Sequence, residues 1–397
     1  MCIRDRHRLR HGVLGAALLL AGCDSNPQAG EAEAPPFVFR SLELRQKRAD
    51  GQRDWDLISP EARYEFTRRL VRASRPEGIL YRNDQPSFRI SAEQATVVND
   101  GELVLLEGQV QLQQLQGQKV LIKGDRLRWT PSTSLLVMEQ RPEAIDELTH
   151  IKASKATLNQ LSEDLTLLGT VQLERWSQPV AGIAPAQRAE TVVRSQKAAW
   201  NLGSGVLKAK GPILGQRFNQ KRTVLQELKA QRLEGNTQQG FIDLIGPVNV
   251  VAPQSEGRLE ASTTRWLFSD DTLVSASPFR ASMTTSDLVG DGFRINLDTS
   301  TVSVPSGCRF SQPGEELRAN QCRWNWMSNR VSAQGGVELK RASNQQVTRS
   351  ERLEGTVGDQ GTVTFSSPGG IVQSELTIKD ASGSHQERRP PSSPVSF

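Results

Sequence analysis

The stretch ISAEQATVVNDGELVLLEGQVQL, Ile90–Leu112, decides the fold. It holds two alternating runs joined by the polar turn Asn99-Asp100-Gly101. A period of two puts Ile90 and Ala92 on one face; Val110 and Leu112 likewise oppose Gln109 and Gln111. The stretch is also not alone. IKASKATLNQLSEDLTLLGTVQL (Ile151–Leu173) and LRANQCRWNWMSNRVSAQGGVEL (Leu317–Leu339) repeat it, each ending in Gly-x-Val-x-Leu, and weaker copies lie between them. A small residue marks every copy, at Ala92, Gly124, Ala153, Ser195, Ala230, Ala261, Gly290 and Ala319, with spacings of 32, 29, 42, 35, 31, 29 and 29. A period near 30 with this drift is a true repeat. Two strands of about seven residues cannot bury an apolar face alone, so neighbouring units must stack. The expected fold is all-β: an extended antiparallel sheet of two-strand units, folded over on itself.

One short helix is expected ahead of the sheet. In DWDLISPEARYEFTRRLVRASRPEG, Ser59 reads as an N-cap, Pro60 as the first helical residue and Glu61 as a first-turn acid, with Arg75-Pro76 as the stop, giving a helix over about 60–73. Trp129, Trp200, Trp266 and Trp324 recur at the end of the first strand of their units, either as a spine of aromatics or as core fillers.

Composition limits the functions available. Aromatics make up 5% of the 397 residues, and Gly and Pro together 52, which suits many short elements broken by turns. The net charge is +5, falling to about +2 without the segment before Cys23, and the basic residues are scattered, so no nucleic-acid footprint is seen. Of the four His, His7 and His11 lie in the leader and His385 in a polar tail, leaving His150. One His supports neither a His-ligated metal nor a His-based relay, so no metal or cofactor is expected. The adjacent acids Asp270-Asp271 are explained by a polar turn, and an enzyme is not expected.

The N-terminus carries an address. MCIRDR, residues 1–6, looks like a translated sequencing-adapter end, and the natural start is expected upstream. Arg8 and Arg10 then precede the apolar run Gly12–Ala21. Ten helical residues rise about 15 Å against a bilayer core of about 30 Å, so the run fits a secretory signal rather than a span. LAGC, Leu20–Cys23, resembles the bacterial lipobox, making Cys23 the candidate lipid anchor, with residues 1–22 removed and the acidic, Pro-rich segment 23–36 as tether. Asp24 behind it resembles an inner-membrane retention signal. Cys308 and Cys322 remain as a candidate disulfide in an oxidising compartment, or as two free thiols. SQPVAGIAPAQRA (Ser177–Ala189) is the candidate break between a part at 37–176 and further repeats at 190–378; a disordered tail is expected at 379–397.

FVFRSLELRQKRADGQRDWDLISPEARYEF (Phe37–Phe66) followed by GILYRNDQPSFRISAEQATV (Gly78–Val97) resembles the LptC family of periplasmic lipopolysaccharide-export components, in a long lipoprotein form associated with cyanobacteria. The repeat is similar to the OstA-like unit shared by LptC, LptA and LptD. The resemblance implies a β-jelly-roll groove that shields lipopolysaccharide acyl chains. It also implies receipt of lipid from an inner-membrane ABC transporter, and transfer to an LptA-like bridge by edge-strand addition. Candidate groove residues are Ile90, Ala92, Leu103, Leu105, Val110, Leu112, Ile122, Leu127 and Trp129; Arg82, Arg89, Arg126 and Arg128 are candidates for the anionic head-groups. The competing class is a structural or adhesive β-repeat lipoprotein with no lipid channel.

Overall fold

The computed structural model of the chain describes residues 37–179, 189–343, 345–356 and 361–376. The leader, Cys23, Asp24, the tether and the tail therefore lie outside the described residues, as does most of the candidate break. Within them the chain forms 28 strands in one sheet, every pairing antiparallel. The only helical turns among them are three-residue 3-10 turns, at Asn99–Gly101, Pro131–Thr133 and Pro253–Ser255.

The meander runs strand by strand along the sequence, and most strands bend midway. Leu103–Gln114 pairs with Leu121–Thr130 on both sides of a register shift between Glu107 and Val110. The same shift recurs between Leu168 and Val171, Lys229 and Arg232, Ile245 and Val248, and Gln334 and Val337. Each is a β-bulge, one extra residue that bends its strand. Stacked across the sheet, the bulges make a crease that folds it into two facing walls. One wall holds, for example, 103–107, 164–168 and 241–245; the other holds 110–114, 171–175 and 248–252. A repeat unit is therefore an excursion across the crease and back.

The repeat signature is the crease itself. The Gly of Gly-x-Val-x-Leu takes positive φ, 76° at Gly108 and 70° at Gly169, as does Gly246 at 99° in the weaker copy GPVNV, where other residues are strained. The marked small residue is opposite the first residue after the bulge, as in Val110 with Gly124 and Val248 with Ala261. The residue that follows a small one packs over a glycine: Glu93, after Ala92, covers Gly108, and Gln231, after Ala230, covers Gly246. A Cβ on Gly246 would stand 2.7 Å from that of Gln231.

The expected helix over 60–73 is absent. Those residues form Arg53–Glu65 and Leu70–Ser74, paired from Glu61 with Ser74 to Glu65 with Leu70. Pro60 sits at the crease, and Ser59 caps it rather than a helix: its hydroxyl lies 2.7 Å from the carbonyls of both Glu61 and Ser74. Ala62 and Ala73 are buried beneath. Alternation along Glu61–Phe66 was the better guide, because the neighbouring strands bury one face of this segment and tertiary packing overrides local capping signals.

Between the walls lies one continuous core. In the N-terminal half, behind a cavity at the first strand, it is filled: Leu80, Phe88, Val104 and Val110 have no exposed surface, and Trp55 meets Trp129 edge-on at 5.4 Å between ring centres. Filling of this kind stabilises by about 2 kcal/mol for each large side chain.

The crease predicts a difference between two glycine substitutions. Gly246→Ala should cost about 2–3 kcal/mol, because positive φ and the Gln231 contact act together. Gly240→Ala, in a turn with φ of 71° and nothing within 4 Å of a new Cβ, should cost only about 1 kcal/mol. Urea midpoints measure the difference, and hydrogen exchange should locate the loss in Val224–Asn236 and Phe241–Ala252.

Candidate lipid groove

The inner face of one wall carries an apolar row set by strand register. Leu173, Val193, Gly215, Leu228, Val250 and Leu259 stand opposite one another on successive strands. Two residues nearer the mouth, hence on the same face, runs a hydrogen-bonding row: Thr149, Arg175, Thr191, Arg217 and Gln226. An apolar floor thus lies beneath a polar rim.

Packing slackens here. Two adjoining voids, of about 60 and 40 Å³, share Thr191, Val193, Leu233, Ile242 and Trp266. Val193, Leu228, Trp266 and Leu297 are only partly buried. At the N-terminal end of the groove a further cavity of about 340 Å³ is lined by Phe39, Leu42, Leu44, Trp55, Tyr64 and Val71.

Polar clamps cross the mouth. The Gln160 amide donates to the Tyr81 carbonyl at 3.0 Å, and Arg82 pairs with Glu163 at 2.6 Å. Gln118 donates to the Thr237 hydroxyl at 3.1 Å. The Arg175 guanidinium lies 4.2 Å from the centre of the Phe268 ring, and Arg217 pairs with Asp271 and, at 3.8 Å, with Asp298. The Trp266 indole N–H donates to Asp271 at 3.0 Å, tying that carboxylate to the apolar floor. Burial pushes the Asp146 carboxyl above its ordinary range, opposed by the Leu148 and Thr149 backbone N–H groups, and lowers the neighbouring Arg175 guanidinium.

Of the groove residues read from the sequence, Ile90, Val110, Leu112, Ile122, Leu127 and Trp129 point inward and are buried in the filled half. Ala92 lies at the crease, half-buried. Leu103 and Leu105 correct the sequence reading. They fall on the face opposite Val104 and Leu106, with Leu105 between Thr96 and Arg128 on neighbouring strands. Residues 103–106 are all apolar, so alternation could not set the phase. Arg126 and Arg128 pair outside with Glu107 and Glu139, at 3.5 and 4.0 Å. Among the four recurring tryptophans, Trp129, Trp200 and Trp324 are buried, Trp200 also lining the smaller void, whereas Trp266 is partly buried and lines both voids. The voids' lining residues were missed because Thr191, Arg217 and Gln226 interrupt the hydrophobic alternation of the weaker copies.

Residues 13–174 match the family described as lipopolysaccharide-assembly, LptC-related. Over this span the chain is similar to that family. The match covers about two fifths of the chain, and no curated protein matches significantly. The LptC-like span contains the filled half of the folded sheet; the two adjoining voids lie largely beyond it. Among the described residues no helix is long and apolar enough to cross a membrane.

Further along, Cys308 and Cys322 are joined as a disulfide with Cα atoms 5.9 Å apart. Cys308 begins a strand of one wall and Cys322 lies in the other, so the bond clips the crease.

Two outcomes follow. Replacing both cysteines by serine should cost about 3 kcal/mol in urea unfolding, the chain-entropy value for a loop of this size. For Asp146, a carboxyl whose pKa is raised on folding contributes stability that is full below its unfolded value and fades as pH rises through the folded value. Asp146→Asn should therefore gain stability relative to the parent between about pH 4 and pH 7, with the gain larger at pH 7. A smaller gain at pH 7 would mean that attraction to Arg175 outweighs burial.

Proposed function

We propose that the chain is a membrane-anchored periplasmic component of lipopolysaccharide transport. It shields acyl chains in the folded-over sheet and passes the lipid from an inner-membrane ABC transporter toward the outer membrane. The observation that carries this reading is the two-row inner face, an apolar floor from Leu173 to Leu259 under a polar rim from Thr149 to Gln226. That layering matches an amphiphile, with tails buried at about 25 cal/mol per Å² and the head left at the rim. The LptC-like span supplies the pathway.

The sheet's edges support a relay. Phe37–Lys47 pairs only with Arg53–Glu65 among the described residues, and its Phe37, Val38 and Phe39 are 60, 59 and 42% exposed. At the other end Val363–Ser366 and Gln373–Glu375 pair only with Gln346–Thr356 among those residues. Each edge offers unpaired backbone to a like sheet, so the transporter's periplasmic part and an LptA-like bridge would join by strand addition. Cys23 would hold the chain at the inner membrane through its lipid, with Asp24 keeping it there.

Photo-crosslinking tests the groove. A crosslinker at inward Leu228 or Val250 should yield lipid adducts in cells, whereas one at outward Lys229 should not. Adducts from Lys229 alone would leave a structural lipoprotein as the better reading.

A further inference from the structure

Arg217 is misplaced for a purely structural sheet. It lies on the inner face of its wall, in register between Thr191 and Gln226, and borders the larger void together with Leu228, Leu244 and Trp266. A guanidinium beside an apolar floor costs free energy unless it is paired. Its partners, Asp271 and Asp298, belong to the opposite wall: Asp271 ends the turn that leads into Thr272–Met283, and Asp298 follows Ser286–Asn296. The pairing therefore closes the mouth above the void. Arg175, one strand beyond Thr191 in the same row, does likewise by covering Phe268. A second observation concerns Gln226. Its side-chain oxygen is buried and has no hydrogen-bond partner, although it lines the same void. Native structures rarely leave such an acceptor unmet.

With the mouth closed, the space beside Arg217 is too small for an acyl chain. Voids of about 60 and 40 Å³ hold a few water-sized groups, not an acyl chain. Loading must part the walls, and the contact that has to yield is Arg217 with Asp271 and Asp298. A ligand favours the open state only through interactions it makes better there.

The geometry points to Arg217 as the head-group site of an anionic amphiphile, whose phosphate or carboxylate takes the guanidinium from Asp271 and Asp298 as its tail enters over Leu228 and Trp266. This inference rests on the acyl-shielding reading and adds the residue that meets the head-group and the point of entry, which lies C-terminal to the LptC-like span. Arginine suits the exchange because Asp271 and Asp298 both meet it at Nη2 alone, whereas its planar fork can donate two parallel hydrogen bonds to a single arriving oxyanion. Arg175 completes a cationic rim, and Gln226 supplies an acceptor for a ligand hydroxyl.

Undecyl chains brominated at the tail quench nearby tryptophan and serve as probes, carrying a phosphate, a carboxylate or a neutral maltoside head, with the full chain as receptor. Both anionic probes should bind about tenfold more tightly than the maltoside, the worth of one charged hydrogen-bonded contact. Arg217→Gln should bring the three affinities together while keeping maltoside binding, which shows the fold intact. Asp271→Asn with Asp298→Asn should tighten the anionic probes alone, and Trp266→Phe should remove most of the quenching. Phosphate binding with no carboxylate preference would narrow the ligand to phosphate-bearing lipids. Equal affinities in the parent, or an anion preference surviving Arg217→Gln, would overturn the assignment while leaving acyl shielding in place. Absence of quenching by every tail would overturn acyl shielding itself, and this site with it.

Discussion

A β-sheet cannot fold face to face unless each strand turns its corner at the same height, and everything else in this protein depends on that alignment. An extra residue at the corner lets the ladder bend without abandoning its hydrogen bonds on either side. Where the bend is tightest, positive φ is required, and glycine supplies it at Gly108, Gly169, Gly211, Gly246 and Gly335. The short residues across from the bulges leave room for the inner side chains to meet. Because sheet register is transmitted strand to strand, one bulge out of line would tilt the crease and turn inner residues toward solvent. The repeat length is the sequence's way of holding that line.

Once folded, the walls are kept together by apolar surface rather than by charge. The filled half buries Leu57, Leu80, Phe88, Ile90, Leu106 and Trp129 almost completely, each worth about 2 kcal/mol. The ion pairs on the outer face, such as Arg126 with Glu107, are exposed and worth at most about 1 kcal/mol apiece. The mouth clamps are partly screened as well, so they define where the walls meet more than how tightly. Wall adhesion should consequently follow the density of inner apolar contacts, which falls from the filled half to the slack middle.

Much of this was legible in Ile90–Leu112. Its alternation, turn and terminal Gly-x-Val-x-Leu gave strands, connection and repeat. The crease was present in the same letters, but the glycine and the small residue look like ordinary punctuation until two strands are seen to bend together. Pro60 misled for a related reason: a proline after serine suits a helix start and a strand corner equally well, and only neighbouring strands choose. Leu103–Leu106 failed differently, since four consecutive apolar residues carry no phase. The slack middle was hidden by polar residues on the inner face. Thr191, Arg217 and Gln226 degrade the hydrophobic period for the reason that makes them of interest, their place beside an apolar floor.

These features divide labour along one sheet. In a stack of units each touching mainly its neighbours, stability is set locally, and opening occurs where local contacts are weakest. Toward the N-terminus that is prevented by a filled core; near the other end a covalent bond between Cys308 and Cys322 fixes the crease. Between them lie the voids, the half-buried lining and the clamps made by Arg175 and Arg217. Between the filled core and the disulfide, a lipid entering through the mouth would meet its lowest barrier in that middle section, where the walls part at the cost of a few partly exposed polar contacts instead of a packed core. The polar rim then has a physical role beyond closure. It offers the departing Arg217 a replacement anion at the moment its own carboxylates are withdrawn, so that opening the wall and seating the head-group become one event.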